Sequence, residues 1–156
     1  EREEFVFISE WYDKLMPLTD EALDDQFWDN LLQVRDEVNK VMEQARRDEI
    51  IGGSLQANVT LYADAELYQQ LAKISDELRF VLITSVAAVK PLAEKPATAF
   101  DSEIDGLFID VAKSEGTKCE RCWHYTDDVG QNETHSDICG RCADNVEGDG
   151  EVRKFA

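Results

Sequence analysis

Four cysteines make up the whole complement of this chain, and they stand as CxxC, 16 intervening residues and CxxC in the stretch CERCWHYTDDVGQNETHSDICGRC. A CxxC turn brings two thiolates to one side of a tight loop, and two such turns complete a tetrahedral four-sulfur shell. Cys119, Cys122, Cys139 and Cys142 are therefore the candidate metal ligands. Two disulfides, a redox CxxC or an iron–sulfur cluster would use the same residues. Clustered CxxC pairs in an otherwise cysteine-free chain suit a metal better than disulfides, and no secretory leader is visible. A redox CxxC normally stands singly beside a βαβ unit, and the pattern upstream suggests no such unit. The usual iron–sulfur spacings differ from this one. Zinc is the expected ion, and four thiolates leave it no open position, so its role is structural rather than catalytic.

The same segment has few apolar residues, namely Trp123, Tyr125, Val129 and Ile138, too few for a self-sufficient core, so its folding is expected to need the metal. Four thiolates on one Zn²⁺ carry excess negative charge, which Arg121 or Arg141 is placed to soften. His124 and His135 read as surface or packing residues. Gly140, inside the second CxxC, is expected to supply the positive φ that such turns use.

Upstream, Phe27, Leu31, Val34, Val38, Val41 and Ala45 fall in alternating steps of four and three, one apolar stripe along a helix. Leu18-Thr19-Asp20-Glu21 supplies a cap and acids for the first turn, and Gly52-Gly53 a stop, so the expected helix runs from about 21 to 49. Leu55, Ala57, Val59 and Leu61 alternate with polar residues as in a half-buried strand. Residues 65–75 return to helical spacing. Leu78 to Val89 reads as a helix end running into a strand, Lys90 to Ser102 as a connector, and Leu107, Ile109 and Val111 as a last strand. The fold class is α+β: a long helix, a small sheet with a packed helix, then a zinc-ribbon or knuckle module. The expected divisions are 1–50, 51–114 and 115–156.

Charge narrows the function. Asp and Glu total 34 against 16 Lys and Arg, for a net −18, of which the segment from Glu115 carries −5. Such a surface repels phosphate at long range, so contact with a nucleic acid needs a local patch. Arg121, Trp123, His124 and Tyr125 cluster at the first knuckle, Arg141 at the second, and Arg153-Lys154-Phe155 near the end. Rings interleaved with guanidinium groups are what unpaired bases need, although a tryptophan beside a knuckle also serves as its cap. Arg121, Trp123, His124, Arg141, Arg153 and Lys154 are the RNA-binding candidates. No phosphate-cradling glycine loop, HExxH or nucleophile signature occurs, so no catalytic residue is assigned. The longest mostly apolar run, Phe80 to Val89, is far short of the ~20 residues that cross a bilayer, and no membrane role is expected. The chain opens on Glu1-Arg2-Glu3-Glu4, which reads as a fragment of something larger.

The motifs themselves are familiar. KCERCWHYTDDVG, ICGRCADNV and GDGEVRKFA resemble the C-terminal zinc-binding segment of bacterial isoleucyl-tRNA synthetases. FWDNLLQVRDEVNKVMEQAR, IIGGSLQANVTLYA and DELRFVLITS are similar to the segment that links that family's helical anticodon-binding domain to its zinc module. The likeness covers residues 5–156 and is weakest at 90–105. It implies a class I aminoacyl-tRNA synthetase, a cytoplasmic monomer that uses ATP and Mg²⁺ in a catalytic domain not present here, so this fragment alone would be inactive. Residues 1–50 would end the anticodon-binding domain, 51–114 would form an α/β junction and 115–156 the four-cysteine zinc module. The partners implied are tRNA for isoleucine, held at its anticodon stem-loop, and the remainder of the synthetase. By position the four cysteines match the family's zinc ligands. The same cysteine spacing occurs in formamidopyrimidine-type DNA glycosylases, which would need a catalytic N-terminal proline and a helix–two-turn–helix. A zinc ribbon that binds a protein partner is a third reading.

Overall fold

The computed structural model describes residues 23–155 together with residues 7, 13 and 14. The cap expected at Leu18–Glu21 lies outside the described residues. The long helix, α1, spans Asp25–Arg47, and its cap is Asp24, whose Oδ1 accepts the Phe27 N–H at 2.8 Å. Residues 23 and 24 are not helical, so the start expected near 21 moves to 25. The stop also differs from expectation. Glu49 takes a left-handed φ of 59°, and the Ile50 N–H reaches back to the Ala45 carbonyl at 2.9 Å, closing the helix before the glycine pair. The whole predicted stripe, Phe27 through Ala45, is buried.

Strand β1 (Ala57–Ala63) buries Ala57, Val59, Leu61 and Ala63 on one face. Leu55 is not part of it. The Gln56 side-chain oxygen accepts the Gly52 N–H at 2.7 Å, and residues Ser54–Gln56 form a 3-10 turn that delays the strand. Helix α2 (Ala65–Ala72) follows, capped by Asp64, which accepts the N–H groups of Glu66 and Leu67 at 3.0 and 2.9 Å. Helix α3 (Leu78–Leu82) ends where Ile83 turns left-handed at φ 56°, and strand β2 (Val86–Pro91) then lies parallel to β1, Val59 opposite Ala87. A βαβ crossover is therefore present, contrary to the sequence reading. Periodicity missed it because α3 and β2 are joined through only Ile83, Thr84 and Ser85, within one apolar run.

Both ends of the supposed 90–102 connector belong to the sheet. Strand β2 runs to Pro91, a turn at Leu92–Glu94 follows, and β3 (Phe100–Asp101) pairs with β4 (Leu107–Lys113). The four strands lie in the order β2-β1-β4-β3, with β4 antiparallel to β1. The buried stripe of α1 shares one core with Val59, Leu61, Leu78, Leu82 and Ile109. A second, smaller cluster gathers Cys119, Ile138, Cys139, Cys142 and Ala143, around the short strands β5 (Thr117–Lys118) and β6 (Tyr125–Thr126) and helix α4 (Gly140–Glu147). The protein is thus α+β, a helix on a small sheet followed by a four-cysteine module.

Two sets of hydrogen bonds join these parts. The Tyr125 N–H donates to Ser85 Oγ at 2.6 Å, and Ser85 Oγ in turn donates to the Leu55 carbonyl. At the other end the two oxygens of Glu77 accept the N–H groups of Lys154 and Phe155 at 2.5 and 2.7 Å.

Candidate metal centre

Strand β5 delivers Cys119, and the turn before β6 delivers Cys122. Cys139 is the residue that precedes α4, and Cys142 lies in its first turn. A hairpin and a helix start thus present two sulfurs each. All four Sγ atoms lie within 4.8 Å of one another, and no disulfide joins them. The Cys122 and Cys139 sulfurs are 3.7 Å apart. A zinc tetrahedron with Zn–S bonds of about 2.3 Å has edges of about 3.8 Å, so the spacing fits that ion. Cys119, Cys139 and Cys142 are buried, with Cys119 and Cys142 fully so. The donor set is soft and complete, and it fits one structural Zn²⁺. The redox alternative falls on this geometry, four sulfurs converging on one point, rather than on the absence of a βαβ unit.

Backbone amides prepare the sulfurs. The N–H groups of Cys122 and Cys139 point at Cys119 Sγ, at 3.5 and 3.3 Å. Burial pushes the Cys119 thiol up, but these amides and that of Arg121 outweigh it and bring the thiol down to about 6. Burial dominates at Cys139, pushed up to about 12, and raises Cys142 as well. Ligation of a metal by thiolates releases the thiol protons, so the affinity for the ion rises with pH. The start of α4, with its positive dipole end, lies beside the thiolate charge of Cys139 and Cys142.

Both arginines named for softening sit against the sulfurs, Arg121 with Nη1 3.6 Å from Cys142 Sγ and Arg141 hydrogen-bonded to Cys122. Gly140 does not perform its expected role. Its φ is not positive; the left-handed residue of the knuckles is Trp123, at φ 66°. Gly140 is required for a close approach instead. Its N–H donates to Asp128 Oδ2 at 2.8 Å, and a Cβ there would stand 2.8 Å from the same oxygen. The Thr126 hydroxyl, donating to Asp128 Oδ1 at 2.6 Å, holds that carboxyl below its ordinary range, with the Gly140 amide acting in the same sense against burial. Asp128 thereby staples the β6 turn to the start of α4.

Five of the six candidate RNA-contact residues separate into two groups. Arg121 and Trp123 stay at the first knuckle, where Trp123 is 58% exposed and carries Lys118 Nζ 5.2 Å above its ring. It is no cap on the sulfur cage. His124, Arg141 and Arg153 gather around Phe80. The His124 ring meets Phe80 edge-on at 5.9 Å, and the guanidinium carbons of Arg141 and Arg153 lie 5.3 and 3.7 Å from its centroid. Arg141 and Arg153 also reach Glu151 Oε1, at 2.7 and 3.2 Å. Burial, followed by Arg141, pushes the His124 imidazole down, and its Nδ1 faces the Cys122 carbonyl at 3.3 Å. His135 Nε2 lies 2.9 Å from Glu147, and neither histidine joins the sulfur set. Lys154 is anchored through its backbone to Glu77.

Sequence reasoning missed Glu77, Arg79 and Phe80, the body's half of this cluster. Arg79 lies 4.7 Å over the Phe80 ring. The available signal was the charged pair Glu77 and Arg79 set at the head of an apolar run that had no reason to carry either.

Residues 116–145 match the family model described as a zinc finger found in FPG and IleRS. The isoleucine–tRNA ligase of Aliivibrio fischeri (strain ATCC 700601 / ES114) is 56% identical over 157 residues, covering 100% of this chain and 16% of that protein. The isoleucine–tRNA ligase of Vibrio cholerae serotype O1 (strain M66-2) is 56% identical over 156 residues, 99% of the chain and again 16% of the relative. The chain therefore spans about one-sixth of the length of the curated relatives it matches, a C-terminal portion that includes their zinc finger. With the four-sulfur cage in place and the likeness running from end to end, the chain belongs, as a C-terminal segment, to the isoleucine–tRNA ligase family.

Proposed function

We propose that this chain is the tRNA-positioning tail of an isoleucine–tRNA ligase. It holds the anticodon stem-loop of the isoleucine tRNA while a catalytic domain elsewhere in the parent, using ATP and Mg²⁺, carries out aminoacylation in the cytoplasm. The observation that carries this reading is the end-to-end 56% identity to the ligases, which extends well beyond the zinc finger into helix α1 and the sheet. The zinc finger alone fits a glycosylase tail equally, since its family description names both; the body decides between them. Zinc does no chemistry in this role. It fixes the knuckles, and so the basic and aromatic side chains that they carry. The fragment has no catalytic residue of its own and is inactive in isolation. It acts as a monomer, with 1–50, 51–114 and 115–156 as the end of the anticodon-binding domain, the junction and the zinc module. No helix among the described residues is long and apolar enough to cross a membrane.

The test is binding of the zinc-loaded chain to an anticodon stem-loop RNA, with duplex DNA as competitor, over a series of salt concentrations. Phosphate contacts make the affinity fall as salt rises. Equal affinity for the stem-loop and the duplex at every salt overturns the reading, and salt-independent capture points to a protein-binding ribbon.

A further inference from the structure

In a chain of net charge −18, cations collect at one place. Arg79, Arg141 and Arg153 all approach the ring of Phe80, their guanidinium carbons 4.7, 5.3 and 3.7 Å from its centroid. The three come from three separate parts of the chain: α3, the start of α4 and the C-terminal segment. Beside them a cavity of ≈ 200 Å³ separates the turn 72–77 from the segment 151–155, and Lys73 and Lys154 extend the positive lining there. Arg79 Nε is buried yet has no hydrogen-bond partner. That nitrogen is closed to solvent, so any acceptor from outside must come to the terminal nitrogens of the guanidinium groups.

Three carboxylates line this region: Asp76 is exposed, while Glu77 and Glu151 are engaged within the protein. Glu151 accepts from Arg141 and Arg153. Glu77, only 7% exposed, accepts two backbone N–H groups of the C-terminal segment, and so holds Arg153 over Phe80. The assembly therefore depends on the tail being docked. Undocking it removes Arg153 and Lys154 and frees Glu151 from the position that orients Arg141.

We propose that the phosphate-binding surface of this chain is a composite built around Phe80, with Arg79, Arg141 and Arg153 as its cations, and that the Glu77 clamp on the C-terminal segment assembles it. This rests on the RNA reading above and moves the main contact away from the exposed Trp123 knuckle, to a place where body, module and tail meet. Glu77 is a positioning residue, since it touches the tail backbone rather than the RNA.

Electrostatics makes the clamp testable by sign. Deleting a carboxylate from a basic surface strengthens RNA binding if charge alone matters, whereas the clamp requires Glu77→Ala to weaken it. The experiment titrates the zinc-loaded 156-residue chain with anticodon stem-loop RNA by fluorescence anisotropy across salt. Its variants are Arg79→Gln, Arg153→Gln and Glu77→Ala, with Lys95→Gln as a charge-matched change elsewhere. Each arginine variant is expected to lower the salt slope by roughly 0.7–0.9 and the affinity roughly sixfold at 0.1 M salt. Lys95→Gln is expected to leave both as in the wild type. Glu77→Ala is expected to weaken binding and to accelerate amide exchange at Lys154 and Phe155, and Glu77→Gln, which keeps one acceptor oxygen, to fall between. Wild-type RNA affinity in both arginine variants, or tighter binding by Glu77→Ala, overturns the composite surface and leaves the RNA reading standing on the knuckle. A wild-type chain that binds no stem-loop RNA at low salt overturns both.

Discussion

Removing the metal is expected to unfold the module and spare the body. The small core around the sulfurs has Ile138 and Ala143 as its buried apolar members besides cysteine, with Val129 packed on its edge. Ile138 and Val129 contribute about 2–3 kcal/mol each at most on burial, and alanine less. A structural zinc contributes about 10–16 kcal/mol at neutral pH, several times that sum. Trp123 adds little because most of it is in solvent. The main core, by contrast, runs from Leu23 to Ile109 and contains no sulfur ligand. The assay is amide exchange read segment by segment before and after a chelator. The amides of Trp123 and Ala143, which donate to the Cys119 and Cys139 carbonyls at 2.9 Å, should lose protection together, while those of β1 and β4 keep theirs. Cys142→Ser should act in the same direction. Losing one of four comparable bonds removes on the order of 3 kcal/mol, a weakening of zinc affinity of about a hundredfold. A metal-free module whose amides at Trp123 and Ala143 stay protected would refute the reasoning, because apolar packing would then have to be enough by itself.

Further effects follow from other contacts of the module and the body. Asp128→Asn should lower the thermal stability of the zinc module by about 1–2 kcal/mol, since a charge-assisted acceptor for Thr126 and Gly140 is lost. Asp128 has a depressed folded-state pKa, so its contribution is present above the ordinary value of 3.8 and lost as the pH falls below it, which an acid titration of module unfolding checks. Gly140→Ala drives a methyl group against Asp128 Oδ2, and calorimetry should find it destabilising even though alanine favours helices. Leu61→Ala, fully buried on the central strand, should cost about 2–5 kcal/mol in denaturant melts of the body and leave zinc affinity unchanged.

The sulfur site was legible because its information is local: two CxxC turns need only their spacing to declare a tetrahedral ligand set. The apolar stripe of α1 was legible for a similar reason, since every stripe position enters one core. What stayed hidden depends on pairing across distance. The parallel partnership of β1 and β2 cannot be read from a run in which α3 and β2 are equally apolar, and only the left-handed turn at Ile83 divides them. Gly140 was misread for a related reason. A glycine in a knuckle suggests backbone freedom, while the need here is room for a carboxylate 12 residues earlier in the chain.

The cluster around Phe80 also answers how so acidic a chain gathers three arginines at one place. Guanidinium groups brought together in a folded protein are usually held by carboxylates, which cancel the charge they hold. An aromatic face attracts cations through its quadrupole without adding negative charge, so three arginines can share one ring and remain net positive towards solvent. Arg141 and Arg153 divide the single Glu151 between them, and Arg79 relies on the ring. This predicts that Phe80→Leu, which keeps the apolar bulk and removes the quadrupole, spreads the three side chains and weakens the RNA contact, whereas Phe80→Tyr preserves it. Stability melts alone would not separate these two variants; RNA affinity as a function of salt would. Equal affinity for the leucine and tyrosine variants would show that the ring supplies bulk only, and that charge is organised here by Glu151 and the tail clamp.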